Sequence, residues 1–248
     1  MMRLLMINPN TTEAMTAPMV RVAQHLAGDA AKIVALTATQ GFPYISSRAE
    51  AQIAGAHVLE MIADHHDSVD AVIVAAFGDP GLVAARDLFD LPVVGMAEAA
   101  IMTAAMLGDR FSIVTFSPHM ARWYTDCARQ TGLEARFTGV RCPRIAPASV
   151  DTVATALRSD LIELVRQATS ADGADVVILG GAPLAGLAKK IATEVDGLLI
   201  DPIAAATAQA MSLVRLAPAY GQRVARPAAK PSKGLSPALA GIIAGERT

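Results

Sequence analysis

The sequence predicts an α/β protein with two similar lobes, and three observations support this. Short runs of β-branched residues alternate with longer, Ala-rich amphipathic stretches, which is typical of βα units that build a parallel sheet. The same alternation occurs in both halves of the 248 residues. Aromatic residues make up only 4% of the chain, whereas all-β proteins are rich in them. We therefore expect two pseudo-symmetric lobes, each a mainly parallel sheet flanked by helices, with a cleft between them.

Each half of the chain is predicted to contribute four strands. The β-branched runs lie at 3–7, 32–36, 71–75 and 92–94, and then at 111–115, 135–140, 175–179 and 198–200. Helical patterns with an apolar stripe near the 3.6-residue period lie at about 11–27, 47–64, 80–88, 97–107, 118–131, 151–169, 184–193 and 202–215. Strands and helices therefore alternate along most of the chain, as a parallel sheet requires.

The two halves also align with each other. The matched segments are 6–10 with 115–119, 72–76 with 177–181, and 94–97 with 200–203. Three matches in order at nearly one offset indicate an internal duplication, and the alternative is that any two βα units resemble each other. We assign 1–96 together with 203–216 to the first lobe and 97–202 to the second.

The last segment, 217–248, has a different composition. It contains Pro218, Pro227, Pro231 and Pro237, and five Lys or Arg residues against one Glu. Such a composition predicts a disordered, basic tail. The alternative is that its end forms a short helix that docks on a neighbouring subunit.

Composition excludes several classes of protein. The formal net charge is -2, which provides no general field for nucleic acid. The apolar runs are shorter than the roughly 18 residues of a membrane span, and the apolar start of the chain is too short for a secretory signal. With two cysteines, a disulfide scaffold is excluded. We expect a cytoplasmic protein that binds a small molecule, contacts no nucleic acid or membrane, and forms a homo-oligomer through its Ala-rich helices.

Ligands of open α/β sheets bind beyond the carboxyl ends of the strands, so the strand-end loops are predicted to form the site. The first loop contains Asn8 and Asn10 and ends at Thr11 and Thr12, either of which is predicted to cap a helix. A helix start of this kind favours an anionic or carbonyl-rich ligand, and the alternative is an ordinary Asn-Pro turn. The matching loop in the second half contains Ser117, Pro118 and His119.

The second loop, 76–82, is glycine-rich. Gly78 and Gly81 allow a ligand to approach the backbone closely, Pro80 suits the first position of a helix, and Asp79 suits its N-cap. The residues proposed to bind substrate here are Ala76, Phe77 and Gly78 and, in the matching loop, Gly180, Gly181, Ala182 and Pro183. Two helix starts that converge on one cleft suit a small carboxylate or ureide.

Three motifs together resemble the aspartate/glutamate/hydantoin racemase superfamily, nearest its hydantoin and allantoin racemase branch. They are INPNTT at 7–12, FGDPGL at 77–82 and VILGGAPLAG at 177–186, and the resemblance extends from residue 2 to about 213. The resemblance implies two pseudo-symmetric α/β lobes and catalysis without pyridoxal phosphate, metal or any other cofactor. It also implies one cysteine at a strand end in each lobe, and the two cysteines exchange protons on opposite faces of the substrate.

The chain departs from this pattern at both cysteines. The resemblance places them where the sequence has Ala76 and Gly181, and neither residue can exchange a proton. Cys127 and Cys142 lie elsewhere, and we interpret them as structural. We therefore expect a cofactor-independent racemase or isomerase that acts on a small amino-acid-derived acid, hydantoin or ureide with residues other than cysteine. The alternatives are a hydrolase or lyase of a cyclic amide, imide or small carboxylate, and a non-catalytic binder.

Three residues are predicted to replace the thiols: Asp79, His119 and Tyr44. Two of them have a simpler interpretation, because Asp79 suits a helix cap and His119 suits a capping or surface position. Tyr44 lies in a loop that is predicted to fold over the cleft. Arg48 is predicted to bind a substrate carboxylate through its planar guanidinium, and the alternative is a solvated helix face.

Other charged residues are assigned no direct role in catalysis. Glu98 and Asp201 are interpreted as carboxylates at helix starts. His65 and His66 are adjacent on a helix and therefore point about 100° apart, so we predict no metal site there.

Overall fold

The computed structural model describes residues 1–147, 150 and 152–246, and it contains two four-stranded sheets. The first sheet consists of β1 (Met2–Asn8), β2 (Ala31–Thr37), β3 (Ala71–Val74) and β4 (Val93–Gly95), in the order β2-β1-β3-β4. The second consists of β5 (Phe111–Val114), β6 (Phe137–Arg141), β7 (Val176–Leu179) and β8 (Leu198–Ile200), in the order β6-β5-β7-β8. All neighbouring strands are parallel. The predicted two-lobed α/β fold is confirmed.

Helices flank both sheets. In chain order the first four are α1 (Glu13–Ala27), α2 (Arg48–Ala63), α3 (Leu82–Leu88) and α4 (Met96–Leu107). They continue with α5 (Ala121–Gln130), α6 (Val153–Ala156), α7 (Arg158–Ser170), α8 (Leu187–Ile191), α9 (Pro202–Leu216) and α10 (Pro237–Ile243). Within the described ranges, none of the helices has both the length and the apolar character that a bilayer span needs.

The predicted helix boundaries were wrong in four places. The helices predicted at 80–88 and 184–193 begin only after Gly81 and Gly186, because these glycines adopt left-handed backbone angles, with φ of 78° and 81°, that a helix cannot include. The helix predicted at 118–131 starts with a 3-10 turn over Pro118–Met120. The helix predicted at 151–169 is divided into α6 and α7, and residue 151 itself lies outside the described residues.

The sheets are covered on both faces, as parallel sheets require. The four residues of the central strands β3 and β7 are all buried. The helix that follows the last strand of each sheet packs on the other sheet: α4 contacts β7 and β8, and α9 contacts β3 and β4. One apolar cluster therefore includes both Ile73 of β3 and Ile178 of β7.

The strand registers correct one of the three internal matches. Ile7 pairs with Val74 in the first sheet, and Val114 pairs with Leu179 in the second. When β3 is placed on β7 as the sequence matches them, Ile7 therefore corresponds to Val114 and Asn8 to Thr115. The predicted alignment of 6–10 with 115–119 is wrong by two residues, because loop composition guided it, whereas the backbone hydrogen bonds set the register.

The segment 217–246, which was expected to be disordered, is instead docked on the same chain. Leu239 of α10 is only 3% exposed, in an apolar cluster with Val58 and Ile62 of α2. Arg226 binds both carboxylate oxygens of Asp90, at 2.8 and 2.9 Å. The physical reason is that apolar residues of α10 complete the surface of α2, which composition alone does not show.

Candidate functional site

The structure brings the two predicted glycine-rich loops together at the carboxyl ends of β3 and β7. Phe77 follows β3, and Gly180 follows β7. A Cβ atom placed on Gly180 would lie 3.4 Å from Cε1 of Phe77. Of the predicted binding residues in these loops, the buried ones are Ala76, Phe77, Gly180, Gly181 and Ala182, and the half-buried ones are Gly78 and Pro183.

The first loop forms a closed hydrogen-bond network. The side-chain amide of Asn8 donates to Asn10 Oδ1 at 3.1 Å and to Thr16 Oγ1 at 2.9 Å, and Asn10 Oδ1 also accepts from the backbone N–H of Thr12 at 2.9 Å. Thr12 occupies the N-cap position of α1 but makes no capping hydrogen bond. Its hydroxyl donates instead to the carbonyl of Pro43 at 2.7 Å, so the predicted cap is replaced by a tie to the loop that carries Tyr44.

An aromatic cluster covers the ends of β3 and β7. We define it as Tyr44, Phe77, Phe116, Trp123 and Tyr124. The ring centroids of Phe77 and Tyr124 are 4.5 Å apart, those of Trp123 and Tyr124 are 6.0 Å apart, and those of Tyr44 and Phe116 are 5.9 Å apart.

Three members of the cluster, Phe116, Trp123 and Tyr124, were missed in the sequence. A usable signal existed, because the chain has one Trp and three Tyr, and two of these four residues are adjacent and shortly follow a predicted strand end.

Two glycines leave the space that the cluster occupies. A Cβ on Gly78 would overlap the ring of Trp123. A Cβ on Gly181, whose φ is 126°, would lie 2.7 Å from Phe116 and 3.6 Å from the hydroxyl oxygen of Tyr124. The Tyr124 hydroxyl therefore lies close to where a side chain at position 181 would begin.

The hydroxyl groups of the cluster are neutral donors. Burial is the main cause that raises the pKa of both Tyr44 and Tyr124, and the two phenols share a side-chain hydrogen bond. The hydroxyl of Thr115 interacts with the Tyr124 phenol and lowers its pKa, but it has hydrogen-bond geometry with no described residue. Both phenols keep their protons at neutral pH and can donate to a ligand oxygen.

Asp79 caps a different helix from the one predicted. Its two carboxylate oxygens accept the backbone N–H groups of Ala97 and Glu98 in α4, each at 2.8 Å. The N-cap of α3 is Gly81, so Pro80 precedes the helix rather than starting it. Burial raises the pKa of Asp79 to about 7, and the two amide donors oppose this rise.

The remaining predicted residues lie outside the aromatic cluster. His119 is exposed, and its backbone N–H donates to Ser117 Oγ at 3.4 Å next to Pro118. Arg48 joins α2 to α5, because its Nε donates to Asp126 Oδ2 at 2.7 Å and its Nη2 donates to the carbonyl of Arg122 at 3.3 Å.

The two carboxylates at helix starts have partners. Glu98 accepts from Arg86 Nη1 at 2.9 Å. Asp201 Oδ1 accepts the backbone N–H groups of Ile203 and Ala204 and so caps α9.

Both cysteines are free and lie away from positions 76 and 181 in sequence. Cys127 is buried in α5, and burial is the main cause that raises the pKa of its thiol. Burial also raises the pKa of Cys142, which follows β6. His66 Nδ1 contacts Asp67 at 2.6 Å. In the part of the chain that the structure describes, no three His, Cys, Asp or Glu side chains form a group that could hold a metal ion.

Comparisons with known proteins agree with this fold. The sequence profile described as Asp/Glu/Hydantoin racemase matches residues 4–210. The chain belongs to this family. A protein named hydantoin racemase from Paenarthrobacter aurescens is 33% identical over 217 residues, which cover 87% of this chain and 92% of that protein. Another hydantoin racemase, from Pseudomonas sp. (strain NS671), is 32% identical over 216 residues, or 87% of each chain.

Solved structures show the same fold. The allantoin racemase from Klebsiella pneumoniae superimposes with a TM-score of 0.88 at 32% identity, over 96% of this chain and 99% of that one. Arylmalonate decarboxylase, at 17% identity and a TM-score of 0.60 over 91% of this chain and 96% of that one, shares the fold alone. The relatives with assigned activities near 30% identity are racemases, which are isomerases, so this chain is a member of an isomerase family.

Proposed function

We propose that this protein is a cofactor-independent racemase or isomerase that acts on a small amino-acid-derived acid, hydantoin or ureide. The substrate binds between the lobes, where the ends of β3 and β7 face each other. The observation that carries the proposal is the pair of neutral phenols, the half-buried Tyr44 and the buried Tyr124, in the aromatic cluster at these strand ends. Neutral donors in a site with little water stabilise the negative charge that develops on a carbonyl oxygen when the adjacent carbon loses its proton.

The proposal uses Tyr44 as the donor that binds the substrate oxygen. Of the three residues predicted to replace the thiols, Tyr44 is the one whose ring belongs to the aromatic cluster. The carboxylate of Asp79 is engaged by the start of α4, and His119 is exposed. Asp79 contributes by fixing the loop that carries Phe77, and its pKa of about 7 makes it the group of this loop that can accept a proton near neutral pH.

The test is incubation of enantiopure allantoin and enantiopure 5-methylhydantoin with the protein in deuterated water. We expect optical rotation to decay while deuterium enters the chiral carbon, measured by polarimetry and NMR. Tyr44→Phe should lower the initial rate by about 10- to 100-fold, because one donor to the developing charge is lost. Tyr220→Phe, the same chemical change on the docked C-terminal segment, should leave the rate unchanged. If no deuterium enters the chiral carbon, the proposed racemase activity is refuted.

A second candidate is hydrolysis or a lyase reaction on the same scaffold. It is favoured by Ala76 and Gly181, because neither residue has a group that exchanges protons, while the phenols still provide donors for an oxyanion. Mass spectrometry of the same incubations separates the two candidates, since hydrolysis adds one water to the substrate and racemisation leaves its mass unchanged. Recovery of bound but unaltered ligand after long incubation would instead indicate a non-catalytic binder.

A further inference from the structure

The helix α3 is short and follows the loop 76–82, which holds the FGDPGL motif. It contains seven residues and begins at Leu82, directly after Gly81 with its left-handed backbone. Gly81 has no side chain with which to cap the helix. Isolated helices of this length are unstable in water. The position of α3, and with it the position of the loop, therefore depends on contacts with the rest of the protein.

The C-terminal segment caps the other end of α3 through Arg223. The guanidinium donates to the backbone carbonyls of Arg86 and Phe89, the second at 2.5 Å. It also donates to Asp90 Oδ1 at 2.8 Å. Carbonyls at the carboxyl end of a helix lack partners within the helix and carry partial negative charge, so a cation is favourable there. The Arg223 side chain is only 19% exposed, so this attraction is weakly screened.

Arg223 is itself held in place by the rest of its segment. Arg226 binds both carboxylate oxygens of Asp90, at 2.8 and 2.9 Å, so one carboxylate joins the two arginines. Further along, the backbone N–H of Ser236 donates to Glu60 Oε1 of α2 at 3.2 Å, and α10 packs on the same helix. The segment is therefore fixed to both α3 and α2.

The second lobe has an arginine at the corresponding place. Gly81 and Gly186 are the left-handed glycines that precede α3 and α8. Counted from these two glycines, Phe89 corresponds to Glu194. The carbonyl of Glu194 accepts from Arg166 Nη2 at 2.9 Å. Arg166 belongs to α7, the helix that precedes β7, so the second lobe supplies this donor from its own helix.

The first lobe lacks an arginine at the equivalent place of the equivalent helix. The helix that precedes β3 is α2, and its one arginine or lysine residue is Arg48, the first residue of the helix. Arg223 of the C-terminal segment takes the place that Arg166 has in the second lobe. Two unrelated segments thus bring a guanidinium to the same carbonyl, which indicates that the fold needs a cation there.

The carboxyl end of α3 is also connected to Asp79. The Arg86 side chain donates to the carbonyl of Val93 at 3.0 Å and to Glu98 Oε1 at 2.9 Å. The backbone N–H of Glu98 in turn donates to Asp79 Oδ2 at 2.8 Å. A shift of α3 would therefore disturb the start of α4 and the carboxylate of the loop together.

We propose that Arg223 is a positioning residue of the candidate site, which caps α3 and so holds the loop 76–82 against the ring of Trp123. A Cβ on Gly78 would overlap that ring, so the loop and the indole are in contact. This inference rests on the proposed function, because the loop belongs to the proposed site. Arg223 acts through α3 and not on the substrate. When it is lost, the loop moves while the rest of the protein stays folded.

The test compares two matched variants of the full-length protein. Arg223→Met removes the cap of the first lobe, and Arg166→Met removes the corresponding cap of the second. Hydrogen exchange followed by mass spectrometry measures how readily each loop opens. We expect Arg223→Met to raise the exchange rates in 76–89 about tenfold, the effect of one lost hydrogen bond to a charged group, and those in 181–194 by less than about twofold. Arg166→Met should do the reverse.

The fluorescence of Trp123 is a second readout. Trp123 is the one tryptophan of the chain, so its emission reports the contact of its ring with the loop. The emission should move to longer wavelength in Arg223→Met, because water reaches the indole, and should be unchanged in Arg166→Met. Arg223→Lys keeps the positive charge and should restore both the emission and the exchange rates in 76–89.

The outcomes separate this inference from the proposed function, since neither readout needs a substrate. A loop that loosens in Arg223→Met, in a protein that incorporates no deuterium into its probes, refutes the proposed racemase activity and supports the positioning role. Unchanged exchange in 76–89 and unchanged emission would show that the positioning role is wrong. Equal loosening of both loops would also overturn it, because Arg223 would then stabilise the whole chain. If Arg223→Met does not fold, Arg223→Gln is measured by the same criteria.

Discussion

In each lobe one aspartate carboxylate joins the loop after the third strand to the helix that follows the fourth strand. The two lobes supply this carboxylate from different places. In the first lobe, Asp79 reaches from the loop after β3 to the start of α4, which follows β4. In the second lobe, Asp201 stands at the end of β8, caps α9 with one oxygen and accepts the backbone N–H of Gly186 with the other, at 2.6 Å. By register Asp201 corresponds to Gly95, and Asp79 corresponds to Leu184.

This comparison shows that the fold requires one carboxylate between the loop and the helix start, and that either side can supply it. Gly95 and Asp79 belong together, since a Cβ on Gly95 would overlap the Asp79 carboxylate. The comparison also explains the Asp of the FGDPGL motif as a helix cap within the site. The two lobes also differ at another place, where Asn8 of the first lobe lies in a side-chain hydrogen-bond network and Thr115 of the second interacts with the Tyr124 phenol.

The largest effect on stability is expected when the first lobe receives an aspartate at Gly95, the position that corresponds to Asp201 of the second lobe. Gly95→Asp places a second carboxylate against Asp79, and both overlap and charge repulsion should lower the free energy of unfolding by about 4 kcal/mol. Chemical denaturation measures the loss.

The double variant Asp79→Leu with Gly95→Asp is the control, because it reproduces the pair Asp201 and Leu184. We expect it to recover about half or more of the lost stability in a double-mutant cycle. Additive losses would contradict the equivalence of the two connections.

The next effect concerns pH. Burial raises the pKa of Asp79 to about 7 from the ordinary 3.8, so between these values the folded state binds more protons than the unfolded state. The free energy of unfolding should therefore fall as pH rises from 4 to 7, by about 3 kcal/mol from this group. The amide of Asp79→Asn resembles the protonated acid and does not titrate, so the free energies of unfolding of the wild type and this variant should be close near pH 4 and diverge towards neutral pH, where the wild type becomes the less stable. Asp201→Asn is the matched comparison, since the pKa of Asp201 is raised in the same direction by burial. Curves that stay parallel would count against a buried Asp79.

The smallest effect is expected for the contact between α2 and α5. The side chain of Arg48 is 53% exposed, and exposed ion pairs contribute about 1 kcal/mol or less. Arg48→Ala should therefore lower the free energy of unfolding by less than about 1 kcal/mol, and this loss should shrink at high salt. Arg158→Ala, which breaks the exposed pair with Glu194 within the second lobe, is the control. A loss well above that of the control would assign Arg48 a larger part in joining the lobes.

Much of the fold followed from local patterns, and the candidate site followed in part. The eight β-branched runs gave all eight strands, because a strand buried on both faces needs continuous apolar residues. The facing loops after β3 and β7 followed from parallel topology and the motif order. The place of Tyr124 in the candidate site did not follow from the sequence, because an aromatic residue in an amphipathic helix gives no local sign of which strand end it covers. The helix start that Asp79 caps was also missed, since Ala97 lies eighteen residues further along the chain.

The sequence by itself therefore determined two α/β lobes and membership of the racemase family, and it predicted a strand-end site, since periodicity and motifs are properties of neighbouring residues. Only the tertiary structure decided which side chains meet at that site. It placed the Tyr124 hydroxyl beside Gly181, used Asp79 to cap α4, and docked α10 on α2. Each of these contacts joins residues that are distant in the chain, and only the packing of the elements fixes such distances.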